Sequence, residues 1–163
     1  MKLTLVERLM LSNQFRILEA LYPDEAESYA LARSAIEDGY EIAYGWNTPH
    51  INPDVMTEAE SKEVLDILDM YRALKDTWEA LPTKPAIDEW RVKFPGFDGN
   101  REVKQLGFAY YLRKEDKFTD ILGKDLNSHA PLLDRYRQML VEWERSANKY
   151  NLTETDLIRI ASA

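Results

Sequence analysis

The sequence predicts an all-α fold: one domain over residues 1–163, made of about six helices, with room for one minor short hairpin. Three observations predict it. Apolar residues recur at spacings of three and four through most of the chain. Thr4 with Glu7, Thr57 with Glu60 and Thr153 with Asp156 stand where such segments begin, each a threonine with an acid three residues on. Only Tyr40 to Trp46 alternates with the period of two that marks a strand.

The first helix opens with the Thr4–Glu7 box. Val6, Met10, Ile17 and Leu21 then share one stripe, with Leu11, Phe15 and Leu18 beside it. Asn13 interrupts that stripe, and a polar residue buried there must find a partner. Pro23-Asp24 ends this helix. Asp24 is the expected cap of the second, Gly39 its stop, and Tyr29, Ala32 or Arg33, and Ile36 its core face. Residues 40–46 read as a strand, and residues 47–54, with two prolines and two asparagines, as a loop.

The strongest element runs from the Thr57 box to Pro82, where Val64, Leu68, Tyr71, Leu74, Trp78 and Leu81 repeat at helical spacing. One helical turn is expected near Asp88 to Trp90, then an extended Arg91 to Phe94 and a turn cluster at Pro95 to Gly99. Asn100 is the expected cap of a helix through Val103, Leu106, Gly107 and Tyr110. Pro131 suits the first turn of the next, with Leu133, Tyr136, Leu140 and Trp143 on its apolar face. Thr153 caps a short last helix carrying Leu157, Ile158 and Ile160.

An echo links two of these helices. Leu68-Asp69-Met70-Tyr71-Arg72 before Trp78 and Leu133-Asp134-Arg135-Tyr136-Arg137 before Trp143 both read L-D-x-Y-R-x₅-W. The spacing places Leu, Tyr and Trp on one face. The plainer account is two core helices solving one packing problem. The sharper one is a duplicated helix pair, or two helices meeting across a pseudo-dyad.

Composition narrows the function. With 163 residues, 45% of them hydrophobic and 31% charged, the chain suits a globular domain that needs no metal or disulfide. It has no Cys, which excludes a disulfide framework, a thiol nucleophile and a thiolate metal site, and fits a reducing compartment. No apolar stretch resembles a signal-peptide core or approaches the ~20 residues of a spanning helix. The expectation is a mature protein equal to the whole chain, cytoplasmic and off the membrane. A net charge of −8 argues against a phosphate-backbone partner, so no nucleic acid is expected.

Catalytic signatures are sparse. His50 and His129 are the only imidazoles and neither has a second His at ligand spacing, so no metal is expected. There is no G-x-S-x-G, no G-x-G-x-x-G and no Walker loop, so no cofactor and no catalytic residue are assigned. Carboxylates are the least excluded chemistry. Glu58, Glu60, Glu63, Asp66 and Asp69 line the central helix, and Glu25, Glu27, Asp38 and Glu41 surround the second. A solvated acidic face is the plainer account of both groups, since acids in a first turn also favour the helix dipole. Asn13 with Gln14 could line a polar pocket or make a structural hydrogen bond. Aromatic residues are more pointed: Tyr40, Tyr44 and Trp46, with Ile42 between them, form the candidate interaction surface if that segment faces outward.

Several segments carry a family resemblance: Arg8-Leu9, Leu11-Ser12-Asn13-Gln14-Phe15, Ile36-Glu37-Asp38-Gly39-Tyr40, Ile67 to Leu74, Phe94-Pro95-Gly96-Phe97-Asp98 and Tyr136-Arg137-Gln138-Met139-Leu140. In this order they resemble the YfbU family of bacterial proteins over nearly the whole chain, departing at residues 47–55. The resemblance implies a bacterial, cytosolic, mostly helical and self-associating protein, and brings no reaction, substrate or catalytic residue with it. The expected function is therefore a non-enzymatic homo-oligomer, a dimer or larger, acting through protein contacts, with regulation as a role and an unidentified protein as a further partner. The alternative is a small-molecule-binding or hydrolytic enzyme using paired carboxylates. A DNA-binding role ranks third.

Overall fold

The computed structural model describes residues 2–47, 51–52 and 54–163. Among these residues the chain forms seven α-helices and no strand, an all-α fold as the sequence predicts. It divides into two compact units, Met1–Val55 and Met56–Ala163.

In the first unit, α1 spans Leu5–Leu21 and starts on the expected box. The Thr4 hydroxyl accepts from the Glu7 N–H at 3.3 Å, and the Glu7 carboxylate accepts from the Thr4 N–H at 2.7 Å. Pro23 opens a single 3₁₀ turn, Pro23–Glu25, so Glu25 rather than Asp24 takes the position before α2, Ala26–Asp38. Gly39 ends α2 at φ 80, the left-handed conformation that glycine adopts without strain. The strand reading of residues 40–46 is corrected: α3 spans Glu41–Tyr44, followed by a 3₁₀ turn at Gly45–Asn47. Its Ala43 N–H donates to the Tyr40 carbonyl at 2.8 Å, so the backbone is satisfied locally and needs no neighbouring strand. Ala43 and Tyr44 are both buried, whereas successive strand residues point to opposite faces. Residues 48–50 and 53 of the expected loop, His50 among them, lie outside the described residues.

The second unit is organised by α4, Glu58–Ala80, capped by Thr57 and Glu60 as expected and stopped at Leu81 before Pro82. A 3₁₀ turn at Glu89–Val92 extends the one expected at 88–90 and replaces the first half of the extended segment. Then come α5 (Val103–Lys114), α6 (Leu133–Glu144) and α7 (Glu154–Ala161), and α4 packs on all three. Val64, Ile67, Leu68 and Leu74 of α4, Phe97, Met139 of α6 and Leu157 and Ile160 of α7 are fully buried together. The expected caps shift: Glu102, not Asn100, precedes α5, and α6 begins two residues after Pro131.

The two echo segments meet in this core. The rings of Tyr71 and Tyr136 pack edge to face with centroids 5.7 Å apart. Each segment repeats the same ion pair, Asp69–Arg72 at 3.4 Å and Asp134–Arg137 at 3.2 Å. The Tyr136 hydroxyl donates to the Gly96 carbonyl at 2.6 Å, and burial raises both phenols well above the ordinary tyrosine range. Gly96, at φ 102, lies so close to Leu126 that a Cβ would come within 2.0 Å of the Leu126 carbonyl oxygen. Beside it Phe97 forms an isolated parallel bridge with Asn127.

Candidate functional surface

In the first unit the usual sidedness of a helix pair is inverted. The face that α1 turns to α2 is built largely from charges. The Ser12 hydroxyl donates to Glu37 Oε1 at 2.6 Å, and Arg16 reaches the same oxygen at 2.9 Å. Arg33 Nε donates to Glu19 Oε1 at 2.6 Å, and Arg33 Nη1 to Glu37 Oε2 at 3.0 Å. Arg8 caps the end of α2, donating to the carbonyls of Ile36 at 2.8 Å and Glu37 at 2.7 Å. The hydrogen bond from Ser12, then that from Arg16 and the charge of Arg33, hold the Glu37 carboxyl below the usual carboxylate range. The bond to Glu19 raises Arg33 further above its already high value.

With the inner face occupied this way, the apolar stripe of α1 points outward. Leu5, Val6, Leu9, Met10, Ile17 and Leu21 are 53–78% exposed, and Asn13 is exposed among them, so the partner that burial at position 13 would demand is not required within the chain. Only Leu11, Phe15 and Leu18, on the other side of the helix, are partly covered. Among the described residues, the apolar ones buried in the first unit are Ala32, Ala35, Ile36, Ala43 and Tyr44. Among the described residues, thirteen of the twenty large apolar side chains that stand exposed lie in this unit of 55 residues.

The segment singled out from the sequence contributes to this surface. Tyr40, Ile42 and Trp46 are exposed, at 58, 77 and 71%, while Tyr44 turns inward at 4%. A helical turn sends these residues in different directions, so the four do not share one side as a strand would arrange them. The α1 stripe was legible as a periodic pattern, but periodicity alone does not say which way such a stripe faces. Arg8, Ser12 and Glu19, which are buried or half-buried against α2, carried that information.

Four of the candidate carboxylates, all on α4, are held by partners. Glu60 serves the Thr57 box, which holds its carboxyl low. Glu63 pairs with Arg137 at 2.7 Å and Asp66 with Lys62 at 2.5 Å. Asp69 is raised by burial, with Arg72 opposing the shift. In the second unit a cleft of about 540 Å³ lies against Trp78, Val92, Phe94 and Ile121, with Lys75, Lys84 and Lys93 at its edges. Its Asp120 is bonded by Arg72 at 2.8 Å and its Glu89 by Lys93 at 2.6 Å, and each cation holds its carboxyl low. General acid–base work by two carboxylates needs pKa values pushed apart, and these two move in the same direction. His129 sits at φ 54, its N–H donating to Asn127 Oδ1 at 3.0 Å.

Three polar residues are buried in the second unit, Asp98, Glu102 and Ser146, and of these Glu102 is the one that nothing in the sequence singled out. Glu102 Oε2 accepts from the Asp98 N–H at 2.8 Å, and its Oε1 accepts from the N–H groups of Leu132 and Leu133 at 2.7 and 2.6 Å. Glu102 thus fastens the 96–99 turn to the start of α6. Compared with known families, the chain matches the family model described as the YfbU domain over residues 1–163.

Proposed function

The chain belongs to the YfbU family, and from that premise we propose that it is a non-enzymatic, self-associating protein of the bacterial cytoplasm that acts through protein–protein contacts in a regulatory role. The observation that carries this reading is the exposed apolar surface of the first unit. Monomeric proteins rarely leave contiguous apolar patches beyond a few hundred Å² in water, and larger ones mark interaction sites. Fully covering the six exposed α1 side chains would gain about 1.5–3 kcal/mol each, about 9–18 kcal/mol in all, which is of the size of the roughly 4–15 kcal/mol that association costs. A net charge of −8 favours solubility and disfavours nucleic acid, and among the described residues no helix is long and apolar enough to cross a membrane.

The test is the mass in solution by light scattering over a hundredfold dilution. The expected result is at least twice the 19.0 kDa of one chain, with Ile17→Glu lowering it to a single chain while the helical circular dichroism persists. A wild-type monomer at every concentration would refute self-association.

A further inference from the structure

We propose that α1 forms the seam of a two-fold homodimer in which the α1 helices of two copies cross antiparallel and the Asn13 amides hydrogen-bond each other on the axis. This inference rests on the self-associating reading above and specifies its geometry. Asn13 is central in two senses. Along the helix, Leu5 lies eight residues before it and Leu21 eight after. Around the helix, at about 100° per residue, Val6, Leu9, Met10 and Ile17 fall within roughly 60° of it, and Leu11 and Phe15 lie nearly opposite. A two-fold axis through the middle of a self-pairing helix brings its central residue against its own copy. Few side chains tolerate that place. An amide does, because it carries both a donor and an acceptor and can bond its twin reciprocally. A lone Asn in an apolar helical seam is also a known device for fixing register and partner number at some cost in stability.

Area and charge both favour a second copy. Six side chains exposed by more than half, at roughly 100 Å² apiece, give about 600 Å² of apolar surface per copy before any polar rim is counted. A standard stable interface buries about 800 Å² per partner, so one helix face supplies most of what is needed. Direction follows from the flanking charges. A parallel, in-register pair would set Lys2 against Lys2, Glu7 against Glu7 and Arg16 against Arg16. The antiparallel pair, with position i facing position 26 − i, sets Arg16 against Met10 and Glu7 against Glu19, whose charge Arg33 already pairs. It also sets Lys2 beside Asp24 of the other copy, next to Glu25, and opposes the helix dipoles.

The absence of cysteine makes the geometry directly readable. Helices packed 8–10 Å apart bring facing Cα atoms within the roughly 4.4–6.8 Å that a disulfide spans. Asn13→Cys, oxidised at low micromolar concentration, is expected to run as a covalent dimer on a non-reducing gel. Lys2→Cys mixed with Asp24→Cys is expected to cross-link at least tenfold faster than Lys2→Cys alone. As a second readout, Asn13→Asp places two carboxylates on the axis, and its dimer is expected to weaken at least tenfold at pH 7 and recover near pH 4. If the wild type is dimeric by light scattering but Asn13→Cys gives no covalent dimer, the axis is elsewhere and this inference falls while the self-associating reading stands. Fast self-cross-linking of Lys2→Cys makes the pair parallel and overturns it. A monomeric wild type overturns both.

Discussion

Glu102 shows how one side chain sets the geometry of the second unit. Its two oxygens take three backbone N–H groups, from Asp98 and from Leu132 and Leu133, positions about thirty residues apart. Carboxylates that accept from main-chain donors make charge-assisted bonds, and buried donors left without a partner cost about 1–3 kcal/mol each. Glu102→Ala leaves all three donors exposed to that cost, less whatever an entering water recovers. It is expected to destabilise the protein by about 3 kcal/mol and to lower the melting temperature by roughly 10 °C in a thermal scan. Glu102→Gln keeps one carbonyl acceptor but turns an NH₂ toward a donor, so it should fall between wild type and Ala. A melting curve unchanged by Glu102→Ala would mean that water already shares these bonds.

At the level of elements, three of the helices share one starting device. The acids of the Thr4, Thr57 and Thr153 boxes are Glu7, Glu60 and Asp156, and the hydrogen bonds from their threonines hold all three carboxyls below the ordinary range. A carboxyl depressed in the folded state adds stability above its unfolded pKa of about 4, and that contribution fades as pH falls through the folded value. For α4, Thr57→Ala is expected to cost about 1 kcal/mol at pH 7. The gap between wild type and this variant should narrow on going to pH 3, because Glu60 protonates and the charge-assisted bond that the Thr57 hydroxyl donates to its carboxylate, which only the wild type has, is weakened. A gap constant with pH would contradict the linkage. These boxes are local, and so they were legible: the threonine and the acid lie three residues apart, and nothing distant can alter their meaning. The L-D-x-Y-R echo was legible as a pattern, and the Tyr71–Tyr136 contact shows the two segments meeting. The segment at Tyr40–Trp46 misled because seven alternating residues also fit a helical turn, and the choice was made by local backbone bonding after Gly39. Glu102 was missed because its partners lie about thirty residues away, a separation no spacing rule reaches.

For the molecule as a whole, the two units differ in how well each is filled. The second holds a core of fully buried side chains drawn from α4, α6 and α7 together with Phe97, whereas the first buries mainly three alanines, Ile36 and Tyr44. Small units with little buried apolar surface are marginal in water. A fragment of residues 56–163 is therefore expected to fold alone, with a cooperative melt and dispersed amide resonances. A fragment of residues 1–55 is expected to show little stable helix at micromolar concentration and to gain it as concentration rises. Cooperative melting of the short fragment at high dilution would mean that its outward stripe needs no cover. The prediction was not available from apolar periodicity, which runs through both halves and does not say which stripes face inward.

Trp46 gives that surface a built-in reporter. The chain has four tryptophans, and the other three, Trp78, Trp90 and Trp143, all belong to the second unit. Trp46 is the lone indole of the first and stands largely in water. Light emitted by Trp46 is thus shifted to the red, and whatever closes over its ring will move that emission toward the blue. A chain in which Phe replaces the other three can announce its own partner by fluorescence, without a label.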